Sequence, residues 1–163
     1  MNKIKITEKN KYDTKDIAKW IRQTLKEEIK DCKFSVRSEY YSGGSSIDVN
    51  IKESKNVRIV KKPEEVTEEE ILHLMSARND SREETIERIK RMQNCKHYSV
   101  NQYHIDSDWQ FTTKGKELLK KVIEITNKYN YDNSDVMTDY FDVNYYLHIV
   151  LGDYNKLFID GLN

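Results

Sequence analysis

The sequence predicts a single α+β domain over residues 1–163, with a mainly antiparallel sheet packed against amphipathic helices. Three observations carry this. Residues 34–51 hold two runs of alternating apolar and polar residues around a glycine turn, residues 141–151 alternate throughout, and the stretches at 14–31 and 113–129 repeat their apolar residues at helical three- and four-residue steps. A chain of 163 residues is long enough for one core and too short for two comfortable ones.

The first helix is expected from about 14 to 31, with Asp13 or Thr14 as its cap. Ile17, Trp20, Ile21, Leu25 and Ile29 form the inward stripe, which leaves Lys15, Lys19, Arg22, Lys26 and Lys30 on a basic solvated side. In the hairpin that follows, Phe34, Val36 and Tyr40 share one face of the first strand, and Ile47, Val49 and Ile51 share one face of the second. Arg37, Glu39, Asp48, Asn50 and Lys52 alternate to the opposite, polar face. Ser42-Gly43-Gly44-Ser45 supplies residues that take positive φ without a Cβ penalty. Val57 to Val60 reads as a short third strand ahead of Pro63.

Two capping boxes, Thr67-x-x-Glu70 and Ser81-x-x-Glu84, each open a helix by satisfying N-terminal amides reciprocally. They define a helical insertion at about 64–96, with Ile71, Leu74 and Met75 apolar on the first helix and Ile86, Ile89 and Met92 on the second. Residues 97–110 keep no clean period and read as a strand or extended link. Thr112 or Thr113 caps the next helix, to about Tyr129, with Leu118, Leu119, Val122, Ile123 and Thr126 inward and Gly115 costing little near its start. Phe141, Val143, Tyr145, Leu147, Ile149 and Leu151 then alternate as a strand, and Leu157 to Ile159 suit a returning edge strand.

Composition narrows the function classes. Lys and Arg number 28 and so do Asp and Glu, which argues against a surface built wholly to hold phosphates. The charge is unevenly spread: residues 1–38 carry eleven basic and six acidic side chains, residues 131–163 one basic and six acidic. Cys32 and Cys95 lack metal-ligand or disulfide-framework spacing, which fits reduced thiols in a cytoplasmic protein. The N-terminus lacks an apolar export segment, and no apolar run approaches the roughly 18 residues of a membrane span.

No cluster makes a convincing catalytic or cofactor signature. Asp132, Asp135, Asp139 and Asp142 invite a cation, but they lack the central glycine and terminal glutamate of a calcium loop, and turn and cap chemistry explains them more simply. His104, Asp106 and Asp108 share one face only if their segment is a strand, and neither they nor Cys95 and His97 have zinc-site spacing. The glycines of Ser42 to Ser46 lie between two strands, where neither a nucleophile elbow nor a phosphate loop occurs. His148 suits a hydrogen-bonded position on a half-exposed sheet. No cofactor is expected.

The pattern Phe34-Ser-Val-Arg-x6-Gly-Gly-Ser-Ser-Ile-Asp-Val, following an Ile-x6-Leu helix, resembles the large polyvalent protein-associated domain family of phages and conjugative elements. Asn130-Tyr-Asp-Asn-Ser-Asp-x-Met-Thr-Asp-Tyr-Phe-Asp-Val-Asn-Tyr146 is similar to segments of the same proteins. The likeness covers roughly residues 14–52 and 112–152 and leaves the helical pair out. It implies a bacterial mobile element and no established activity. The expected role is a non-enzymatic interaction module that binds a host or element protein, with Arg37, Glu39, Tyr40, Tyr41, Asp48, Asp132, Asp135, Asp139 and Tyr140 as its candidate contact residues. The alternative is a nucleic-acid-binding accessory protein that uses the basic first helix.

Overall fold

A computed structural model describes residues 12–93, 97–135, 137, 138, 142–153, 156 and 158–161. Helix α1 (Thr14–Glu28) starts where Asp13 accepts the Lys15 amide at 2.7 Å, so Asp13 is the cap. Its three- and four-residue spacing buries Ile17, Ala18, Ile21 and Leu25 together with Thr14 and Thr24. Strands β1 (Cys32–Tyr41) and β2 (Gly44–Ser54) form the expected antiparallel hairpin. Its turn is Ser42-Gly43, where Gly43 takes φ 99°, a conformation that costs a glycine nothing sterically.

Both capping boxes form. Thr67 Oγ1 accepts the Glu70 amide and Glu70 the Thr67 amide at the start of α2 (Glu68–Arg78), after a 3₁₀ turn at Pro63–Glu65. Ser81 and Glu84 exchange the same bonds at the start of α3 (Arg82–Gln93). Between them Asn79 ends α2 in the left-handed conformation that asparagine tolerates.

Strand β3 (His97–Val100) is shorter than the ambiguous 97–110 stretch, whose remainder forms turns. Helix α4 (Thr113–Asn127) is capped by Thr112, which accepts the Gly115 amide at 2.9 Å. Gly115 does more than tolerate a helix start. A Cβ there would lie 2.6 Å from the Ile59 carbonyl oxygen, so only glycine lets α4 approach that strand-like segment. Residues 57–60 form no regular strand. Val60 makes a single bridge to Phe111, and the Ile59 and Val60 amides donate to the two oxygens of Asp160 at 2.7 and 2.8 Å.

Strand β4 (Tyr146–Gly152) and the two-residue β5 (Ile159–Asp160) complete a mixed sheet in the order β1-β2-β4-β3, with β5 alongside the end of β2. The α+β class holds. Antiparallel pairing joins β1 to β2 and β3 to β4, whereas β4 and β5 both run parallel to β2. Sequence alternation fixes which residues share a face and says nothing about which neighbour a strand takes, so the parallel junction was not foreseeable.

Ile17, Ile21 and Leu25 of α1, Leu119, Val122 and Ile125 of α4, and Val36, Ile47, Val49, Ile51, Leu147, Ile149 and Leu151 of the sheet meet in one core cluster. The helical pair stands outside it. Ile89 is buried, but α2 buries none of its own residues, and the pair packs chiefly on itself and on the 3₁₀ turn.

Candidate interaction face

The helices cover one face of the sheet, and the residues alternating to the other face define the candidate site. In register across three strands, Arg37 of β1 stands beside Asp48 of β2, and Asp48 beside His148 of β4. The His148 Nδ1 and an Asp48 carboxylate oxygen are 2.8 Å apart. The His148 side chain is 62% exposed and that of Asp48 39%, so the pair is wet and solvent screens the interaction. Glu39 lies next in the row, opposite Ser46.

Toward the turn, the rings of Tyr41 and Tyr146 lie 6.5 Å apart at a 30° tilt. Both are substantially exposed. Partial burial, with Tyr146 and the Asp48 and Glu39 carboxylates nearby, pushes the Tyr41 hydroxyl above its ordinary value. Farther along β2, the Asn50 side-chain oxygen is buried and accepts no hydrogen bond among the described residues. An aromatic pair beside a charged row, on a surface that no helix covers among the described residues, gives contact area together with polar selectivity.

The sequence-derived residues are partly assembled by this geometry. Arg37, Glu39, Tyr41 and Asp48 share the face. Tyr40 does not. It alternates to the helix-covered side, where its hydroxyl donates to Asp13 and accepts the Lys15 amide at 3.2 Å, and that bond from Tyr40 is the main reason the Asp13 carboxyl titrates below its usual range. Asp132 and Asp135 serve local turns: Asp132 accepts the Ser134 amide, and Asp135 the Met137 amide and the Thr138 hydroxyl. Asp139 and Tyr140 lie outside the described residues, as does Cys95.

Tyr146 and His148 join the same face but were not among the sequence-derived candidates. The alternation of β4 places them on one face, but the parallel pairing that sets them against Ser46 and Asp48 is a tertiary choice. The segment around them has a framework role as well. Asn130 and Asn144 bond the backbones of Tyr145 and Tyr129, and the buried Tyr145 hydroxyl donates to the Thr126 carbonyl, which locks the end of α4 to the start of β4.

The other chemical candidates resolve into structure. Asp106 pairs with Lys120, and Asp108, whose carboxyl burial pushes upward, accepts the Gln110 amide. Burial likewise raises the Cys32 thiol, which disfavours the reactive thiolate. Among the described residues no group of three or more His, Cys, Asp or Glu side chains is placed to hold a metal ion. None of their helices is long and apolar enough to cross a membrane.

An α+β protein with a one-sided mixed sheet and an open polar face is the class these features define. The chain belongs to the family described as large polyvalent protein associated domain 29, whose model matches residues 12–112. The match runs through the helical pair, which the sequence resemblance had left out, and stops at the cap of α4, short of the 130–146 segment that the resemblance had included. No curated protein and no solved structure matches the chain.

Proposed function

We propose that this protein is a non-enzymatic interaction module of a bacterial mobile element, and that it binds a host or element protein through the helix-free face of its sheet. The observation that carries the reading is the row Arg37, Asp48 and His148 running into the exposed Tyr41–Tyr146 pair. Tyrosine supplies large contact area at low entropy cost, and a charged row beside it selects among partners. The same exposure speaks against catalysis by the Asp48–His148 pair, because a wet, screened dyad lacks the water-excluded setting that makes acid-base groups effective. Membership in a family of polyvalent-protein-associated domains fits a module that works beside other proteins.

The test is affinity capture with two baits, the wild-type chain and a Tyr41→Ala/Tyr146→Ala variant that retains its melting temperature. A protein enriched by the first and lost with the second is the expected result. Identical captured sets from both baits would rule this face out.

A further inference from the structure

The outer edge of β1 lies on a different part of the hairpin from the polar row. Among the described residues β1 pairs with β2 alone. Tyr41 and Gly44 close the two-residue turn, so they form a hydrogen-bonded pair, and the antiparallel alternation then turns the amides and carbonyls of Tyr40, Ser38 and Val36 toward the open edge. Arg22 confirms this parity, since its guanidinium donates to the Val36 carbonyl from outside the ladder.

That contact also orients α1. Lys15, Lys19, Arg22 and Lys26 recur at steps of four, three and four residues and form one exposed stripe. Two of its residues are located by contacts to β1: Lys15 Nζ sits 6.0 Å from the Tyr40 ring centre, and Arg22 reaches Val36. Glu28, on the other side of the helix, faces Lys121 and Lys128 at 3.8 Å. Among the described residues the basic stripe therefore overlooks an unpaired strand edge, while Glu28 on the opposite side of α1 is turned to α4.

We infer that this edge accepts an extended acidic segment of a partner protein as an added strand. Main-chain bonds to Val36, Ser38 and Tyr40 would hold it, and carboxylates on its helix-facing side would meet the α1 stripe. A second copy of this chain is a poorer occupant, because symmetric pairing of two β1 strands would bring two basic stripes together. Edge strands left open are managed with charge, and here Arg22 blocks one acceptor until a strand replaces it. The surface does not involve Tyr41, Asp48 or His148, so its failure leaves the polar-face reading standing, and the reverse also holds.

The experiment uses the full chain and a fluorescently labelled peptide of about eight residues alternating glutamate and valine, long enough to span the edge. Binding is expected, with affinity at least about tenfold above that of the matching lysine–valine peptide, and about tenfold lower for the Lys19→Glu/Lys26→Glu variant. N-methylation of the peptide at alternate residues removes its donors and leaves the protein untouched, and it should weaken binding at least about tenfold. Three results would overturn the inference. Equally tight binding of the methylated peptide would leave charge alone as the cause. An oligonucleotide of equal charge that binds more tightly than the acidic peptide would assign the stripe to nucleic acid. A stable dimer in sedimentation, broken by Ser38→Pro, would assign the edge to a second copy.

Discussion

Helices α1 and α2 begin with equally explicit caps and end in opposite surroundings. Asp13 starts α1, which drives Ile17, Ala18, Ile21 and Leu25 to 3% exposure or less. Thr67 and Glu70 start α2 with a complete capping box, yet none of its residues is buried and Leu72 is 54% exposed. The difference lies in the stripe. In α1 the apolar stripe at three- and four-residue steps enters the main core, whereas Ile71, Leu74 and Met75 of α2 make a short stripe on a helix that packs on α3 and stays outside that core. Caps decide where a helix begins, and the stripe decides what holds it in place.

The sharpest way to break this contrast is to empty both sides of it. Ile21→Ala should destabilise the fold by about 2–5 kcal/mol, as deletion in a closed core does, while Leu74→Ala should cost less than about 1 kcal/mol. Urea melts that shift equally for the two would show that the helical pair is part of the same cooperative core. Gly115→Ala comes next, at about 1–3 kcal/mol, because the added methyl meets the Ile59 backbone, which cannot yield as a flexible side chain would. A thermal melt unchanged by that substitution would mean the α4 contact relaxes freely.

Thr67→Ala removes one half of a capping box and should cost about 1 kcal/mol, confined to α2. Hydrogen exchange should show faster exchange in residues 68–78 with β2 and β4 unaffected. Matching acceleration across the sheet would join the two regions.

Acid should separate them more gently. Glu65, Glu68, Glu70 and Glu84, all in or beside the helical pair, titrate below the ordinary glutamate value of 4.5. The Lys62 amide is the chief cause at Glu65, Arg82 at Glu68 and the Ser81 amide at Glu84, while at Glu70 burial pushes upward and the bonds from Lys61 and Thr67 outweigh it. The unfolded chain therefore takes up these protons first. The stabilisation is whole above pH 4.5 and is lost as pH falls through the lower folded values. Asp108 and Asp160, both raised by burial, work the other way: their contribution is greatest in acid and is lost as pH rises. Below pH 4.5, protection from hydrogen exchange, corrected for the intrinsic rate, should fall in residues 68–92 before it falls in β1 and β2, and a simultaneous fall would contradict this ordering.

Much of the scaffold is legible residue by residue. The capping boxes at Thr67 and Ser81, the caps at Asp13 and Thr112, the Gly43 turn and the alternation of Ile47, Val49 and Ile51 each follow from interactions within a few residues of chain. The same local logic placed Arg37, Glu39 and Asp48 on one polar face, which Tyr41 joins in the structure. Tyr40, also a candidate contact residue, falls on the apolar face with Phe34 and Val36 as its alternation predicts, where it stays half exposed and bonds Asp13. Residues 57–60 looked like a strand because their valines and isoleucine favour extended backbone, but their amides are taken by Asp160, about a hundred residues away in sequence.

By itself, then, the sequence determined most of the helices and strands, where most of them start, and which side chains share a face, because these depend on periodicity and on hydrogen bonds between near neighbours. Only the tertiary structure decided that β4 lies parallel beside β2, that His148 therefore meets Asp48 and Tyr146 meets Tyr41, and that the basic stripe of α1 overlooks the β1 edge. Strand partners are chosen by burial of the whole core, a competition among distant segments that no local pattern records.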